Sequence, residues 1–203
     1  MAKEIDRKFE DLLIAYSRQT SPRAKRRIEV AIWKRYDSEQ AVLVLDMSGF
    51  SLLSHRHGIV HYLSMIRRMQ LTALPIIESH DGRAVKFDAD NCFAVFPAPL
   101  HAVRAAVAMN LAFQASNIIT ADELDIRIAC GIDFGRVLLL GDADLFGNAV
   151  NRAAKLGEDV AAGGEILITR DAMDRIPDAA AIRGHPVHAS FAGMPVPALA
   201  IAY

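Results

Sequence analysis

The sequence predicts an α+β domain in which helices pack against a mixed β-sheet. From Ala41 onward, runs of strand character alternate with helical stretches in the order β-α-β-β-α-β-β-α-β-α-β-β. Neighbouring strands with no helix between them require hairpins, so the sheet combines antiparallel and parallel pairs. Neither G-x-G-x-x-G nor G-x-x-x-x-G-K-[ST] stands at any strand-to-helix turn, which removes the dinucleotide-binding and P-loop folds.

Residues 1–38 read as a helical segment and residues 39–203 as the main domain. Phe9, Leu12, Leu13 and Tyr16 recur at helical spacing, as do Ile28, Ala31 and Ile32. Ser21-Pro22 separates the two helices, as N-cap and first helical position. Arg23, Lys25, Arg26 and Arg27 give the second a basic face that is either a solvated outer surface or a contact for an anionic one. The continuous apolar run 41–45 ends at Asp46 and reads as a buried strand. A helix over 57–79 turns Ile59, Tyr62, Leu63, Ile66 and Met69 inward, with Pro75 marking a kink or an end. A hairpin follows, with arms 83–87 and 92–96 and its turn in 88–91. Pro99 opens a helix to about 114, with Val103, Ala106, Val107 and Leu111 inward. Strands 124–132 and 136–140 are broken by Asp133-Phe-Gly135, and a loop over 141–147 leads to a short helix ending near Leu156-Gly157. The tail reads strand 165–169, helix 171–176 and strands 187–191 and 198–202.

With 203 residues, 52% of them hydrophobic, the chain can bury a core without staples. A formal net charge of −1 gives no electrostatic case for nucleic acid. No apolar stretch approaches the ~18 residues of a membrane span, and residues 1–11 hold no signal-peptide core. Cys92 and Cys130 lie in apolar strands and read as free buried thiols. These features place the chain in the cytoplasm.

Three segments carry chemistry. In Asp46-Met47-Ser48-Gly49-Phe50-Ser51 a carboxylate ends a buried strand, where its charge needs compensation, and the glycine turn after it can aim backbone N–H groups at an anion. A simple turn cap is the alternative. In Lys86-Phe-Asp88-Ala-Asp90-Asn91 a carboxylate at a hairpin turn would meet Asp46 if the two strands are neighbours. Two hard carboxylates without Cys or His favour Mg²⁺ or Mn²⁺. A turn rich in Asp and Asn can also be only a turn. In the third segment, 142–155, Asn151 and Lys155 project from one helix face and can grip charged oxygens or simply face solvent.

Together, in this order, these segments resemble the class III nucleotidyl cyclase catalytic domain, well over about 41–169 and loosely to Tyr203. Val-Leu-Asp46-Met-Ser-Gly-Phe-Ser is similar to the family's first metal motif, and the hairpin from Gly82 to Phe96 to its second. Ile128-Ala-Cys-Gly-Ile-Asp-Phe-Gly-Arg136-Val resembles the strand pair with a phosphate-binding arginine. Asp144-Leu-Phe-Gly-Asn-Ala-Val-Asn151-Arg-Ala-Ala-Lys155 resembles the segment with the base-reading aspartate and the transition-state pair.

The resemblance implies a ferredoxin-like mixed sheet and an adenylate cyclase that converts ATP to 3′,5′-cyclic AMP and pyrophosphate. Asp46, Asp90 and the Met47 carbonyl would hold two Mg²⁺ or Mn²⁺ ions per site. Lys86 and Asp144 would read the base. Lysine donates to a ring nitrogen and aspartate accepts from an exocyclic amine, which matches adenine; family members that use GTP tend to carry glutamate and cysteine there. Arg136 and the turn Ser48, Gly49 and Phe50 would bind phosphates. Asn151 would orient the ribose, and Lys155 would stabilise the transition state. Because the family's sites lie between protomers and this chain carries both halves, a homodimer is implied. Lys155 stands where the family usually has arginine, keeping the charge without the planar fork. Ala89 stands where glycine is common, Asp88 adds a solvent-facing carboxylate, and the tail near Gly193 lacks a lysine that many members have. The alternatives are a cyclase of GTP or a pyrimidine nucleotide, or a degenerate nucleotide-binding regulatory domain.

Overall fold

The apolar run starting at Ala41 forms the middle of β1 (Asp37–Met47), the strand around which the sheet is built. In the computed structural model, which describes residues 6–48, 58–191 and 193–203, β1 lies antiparallel between β3 (Asn91–Phe96) and β4 (Ile128–Leu140). β2 (Arg83–Asp88) closes a hairpin onto β3 at one edge. β5 (Asp144–Phe146) pairs with the end of β4. On the other side of β4 come β6 (Ile166–Thr169), parallel to it, then β8 (Met194–Ala202) and finally β7 (Arg183–Phe191). The mixed sheet expected from the element order is present.

Alternation along β1 sorts the core into two faces. Ala41, Leu43, Leu45 and Met47 point to the main core, roofed by α3 (Ile59–Ser79) and α4 (Pro99–Asn117). Val42 and Val44 point the other way, where α5 (Asn148–Ala154) lays Ala149, Val150 and Ala153 on them. At the far end of β4, α1 (Arg7–Ser17) and α2 (Pro22–Tyr36) bury Phe9, Ile32 and Tyr36 against Leu140. Asp6 caps α1, its carboxylate accepting from the Lys8 N–H at 2.9 Å, and Pro22 opens α2 at the expected position. The short α6 (Arg170–Met173) follows β6 directly. Among the described residues no helix is long and apolar enough to cross a membrane.

Several local expectations fail for identifiable reasons. β1 begins at Asp37 because residues 37–40 find ladder partners in Gly135–Leu138 of β4. β4 runs unbroken through Asp133-Phe-Gly135, since side chains from distant elements satisfy the buried Asp133. Pro75 does not end α3: it lies on the exposed side, where water can solvate the carbonyl it leaves unpaired. Ile59, Leu63 and Leu111, expected inward, are 63%, 55% and 51% exposed. The last helix of the 142–155 segment changes character at Lys155, widening into a turn over Lys155–Val160 closed by the Ala161 N–H donating to the Leu156 carbonyl at 2.8 Å. That turn presses on the sheet through two glycines. A Cβ on Gly157 would stand 2.7 Å from the Val44 carbonyl oxygen, and one on Gly131 would stand 2.0 Å from the Ala153 oxygen.

Candidate active site

Strand alternation places Asp46 on the same face as Val42 and Val44, under α5 and the wide turn. Leu45 pairs with Cys92, and Asp88 pairs with Asn91 across a two-residue turn, so the hairpin carries Asp90 to the end of β1 beside Asp46. The turn forces Ala89 to φ +50°, a conformation that glycine adopts more easily. Burial pushes the Asp46 carboxyl up to about 6, and the charges of Asp90 and Asp159 push the same way. Glu158 is also raised, by burial first and then by Asp46, Asp159, Asp90 and Asp88.

This concentration of negative charge fits a divalent cation. Among the described residues, no group of three or more His, Cys, Asp or Glu side chains forms a metal-binding cluster. Carboxylates and backbone carbonyls are hard oxygen donors, the kind that Mg²⁺ and Mn²⁺ prefer while keeping other coordination positions for phosphate and water. Asp88 is exposed, as the sequence suggests.

Lys86 lies opposite Phe93, itself the partner of Val44, and its Nζ meets Asp144 Oδ1 at 2.9 Å. A register shift between Ala84 and Lys86 re-aims the end of β2, and the Lys86 ammonium lies 4.8 Å from the centre of the Phe93 ring. The β4–β5 ladder fixes Asp144 opposite Leu140, and its carboxylate also accepts from the Leu145 N–H at 2.8 Å. Asn151 sits exposed on α5, whose first turn closes through its N–H to the Gly147 carbonyl at 3.1 Å. Gly147 needs φ +151° and would bring a Cβ to 3.0 Å from the Arg136 carbonyl oxygen, so a side chain there is strained. Lys155 opens the wide turn, with its Nζ 2.9 Å from Asp159.

One candidate stands apart. Arg136 is even-numbered in β4, on the side of Ile132 and Leu138, and faces away from Asp46. Its guanidinium donates twice to Asp37 at 3.0 Å and stacks on Trp33 at 4.8 Å. The Ser48 N–H donates to the Arg127 carbonyl at 2.9 Å at the end of β1. Gly49 and Phe50 lie outside the described residues.

The sequence reading missed Glu158, Asp159 and Tyr62. The Tyr62 phenol is raised by burial first and then by the charges of Asp90 and Asp46. Glu158 and Asp159 lie just beyond the recognised 142–155 segment, within the wide turn over Lys155–Val160. Asp133 was read as a strand break. It is fully buried, accepting from Arg152 Nε at 2.6 Å and from Thr169 Oγ1 at 2.5 Å.

The family described as adenylate and guanylate cyclase catalytic domain matches residues 33–183. A Rhizobium meliloti (strain 1021) protein provisionally named adenylate cyclase 3 is 30% identical over 129 residues, covering 64% of this chain and 22% of that protein. The chain thus spans only a minor part of this curated relative. The crystal structure of the guanylyl cyclase Cya2 superposes with a TM-score of 0.70 at 20% identity, over 82% of this chain and 92% of that one. The adenylyl cyclase CyaB from P. aeruginosa gives 0.67 at 20% identity, over 82% and 96%. At such identities the two structures speak to the fold, and one is a guanylyl and the other an adenylyl enzyme. With most of its length matched, the chain belongs to the adenylate and guanylate cyclase catalytic-domain family, the class III nucleotidyl cyclases.

Proposed function

We propose that this domain is an adenylate cyclase, converting ATP to 3′,5′-cyclic AMP and pyrophosphate in a site completed by a second copy of the chain. The observation that carries the choice of ATP is the Lys86–Asp144 pair, 2.9 Å apart, with Lys86 on the strand beside Phe93, the ladder partner of Val44. One ammonium and one carboxylate at this spacing present a donor and an acceptor to the adenine edge, for N1 and the N6 amine respectively.

Asp46, Asp90 and the Met47 carbonyl would hold the divalent ions. When bound, these supply charge neutralisation for the triphosphate and lower the pKa of the ribose 3′-hydroxyl. The protein's own work is orientation. Asn151, exposed on α5, holds the ribose of a nucleotide bound to the partner's Asp46 and Asp90, so that the 3′-oxygen lies in line with the α-phosphorus. The 3′-hydroxyl gives its proton to solvent water, and the new bond forms between that oxygen and phosphorus as the bond to the pyrophosphate oxygen breaks. Lys155 gives its ammonium to the charge that develops on the phosphate oxygens, leaving Asp159 to do so. Arg136, turned to the opposite face onto Asp37 and Trp33, takes no part in this scheme.

The test is a panel of ATP, GTP, CTP and UTP with Mg²⁺ or Mn²⁺, with cyclic products identified by mass. Cyclic AMP as the dominant product supports the reading. A different dominant cyclic product overturns the base assignment, and nucleotide binding with no cyclic product overturns the enzymatic reading in favour of a regulatory domain.

A further inference from the structure

Asp133 has no solvent access, and the cyclisation described above does not use it. Both of its oxygens are engaged, Oδ2 by Arg152 Nε at 2.6 Å and Oδ1 by Thr169 Oγ1 at 2.5 Å. A buried ion pair is a poor way to gain stability, since apolar residues of similar volume usually pack at lower cost. What it adds is direction: a charged donor and acceptor at short range admit one geometry.

The element that receives this direction is α5. It has only seven residues, too few to hold their orientation by helical hydrogen bonding alone. It rests on the sheet through the small or short side chains of Ala149, Val150 and Ala153, a smooth face that permits roll. Arg152 immediately follows Asn151 and anchors the helix to β4. Thr169, at the end of β6, takes the second oxygen and caps α6 by accepting from the Ala172 N–H at 3.3 Å, so the carboxylate is held from both sides.

We propose that Asp133 is a positioning residue for catalysis: through Arg152 it fixes the roll of α5 and so aims the Asn151 amide at the ribose. The inference rests on the ribose-orienting role of Asn151 proposed above.

The experiment compares wild type with the Asp133→Asn/Arg152→Met double variant, which removes both charges and strands neither. Four quantities are measured on the full chain: kcat, KM for ATP, Tm and the side-chain amide NMR resonances of Asn151 without nucleotide. The expected result is a kcat loss of roughly tenfold or more with KM changed less than about threefold. That loss should shrink below about twofold when both proteins also carry Asn151→Ala, because two residues acting through one effect are not additive. The Asn151 amide resonances should move toward those of a free side chain. A kcat within about twofold of wild type, or an equal loss in the Asn151→Ala background, overturns the proposal and leaves Asp133 a packing residue. If the double variant fails to fold, Arg152→Lys keeps the charge but misplaces the donor, and the same non-additivity is expected of it. Should wild type show no cyclase activity, the cyclase reading fails at that step, and the amide resonances still report whether Asp133 orients Asn151.

Discussion

Lys86 and Asp144 form an ion pair at 2.9 Å between edge strand β2 and the short strand β5. Each side chain is about one-third exposed, 29% and 32%, so the pair is open to a ligand and held from behind by the Phe93 ring and the Leu145 N–H. In the base-reading role proposed for them, the ammonium is the donor side of the head and the carboxylate its acceptor side.

Replacing that head changes the base that is read. The Lys86→Glu/Asp144→Cys variant, with the residues GTP-using relatives tend to carry, is expected to lose roughly tenfold or more in kcat/KM for ATP and to gain activity with GTP, because unpaired polar edges are strongly rejected. Initial rates of both cyclic products check this. An unchanged preference for ATP would remove these two residues from base recognition.

The raised Asp46 carboxyl predicts a pH effect on the metal-free protein. Its folded value of about 6 lies above the ordinary 3.8, so the folded state favours the protonated form. Stability from this group is fully present below about pH 4 and is lost as pH rises through about 6. Asp46→Asn, which cannot ionise, should therefore raise Tm relative to wild type above pH 6, with the advantage fading by pH 4. Thermal melts of both proteins in chelator across that range measure it. An advantage that does not vary with pH would mean that the carboxyl is unstrained.

Contact between the wide turn and the sheet depends on two missing side chains. Gly157→Ala drives a Cβ to 2.7 Å from the Val44 carbonyl oxygen, and the fixed backbone there cannot step aside easily. A loss of about 2 kcal/mol in urea denaturation is expected, within the usual range for overpacking. A loss under about 0.5 kcal/mol would show that the turn is loosely seated.

The architecture was legible because the hydrophobic periodicities of β1, α3 and α4 come from the residues that pack together. The three chemical segments were legible because their polar residues interrupt apolar runs. What escaped reading depended on partners far away in sequence. Asp133 looks like a breaker until Arg152 and Thr169 are placed around it. Glu158 and Asp159, whose charges act with that of Asp46, lie in the turn where the helix widens at Lys155, and no local propensity announces that turn. Arg136 matched its motif, but strand parity turns it to the opposite face, onto Asp37 and Trp33.

A shared site predicts complementation. Alone, Asp46→Ala chains should be inactive and Asn151→Ala chains should keep only a small residual turnover; mixed at equal amounts they should recover about a quarter of wild-type activity, since half of random dimers would carry one intact site of two. No recovery after mixing is confirmed by mass would place both halves of the site in one chain.

The central claim is that Asp46 and Asp90 together hold the ions on which cyclisation depends. The direct measurement is cyclic AMP formation from ATP with Mn²⁺ by wild type, Asp46→Asn and Asp90→Asn, each verified as folded by its melt. The account predicts a loss on the order of a thousandfold or more for each variant, with no product from wild type in chelator. Either variant retaining activity within about tenfold of wild type, or wild-type turnover unaffected by chelator, would contradict it.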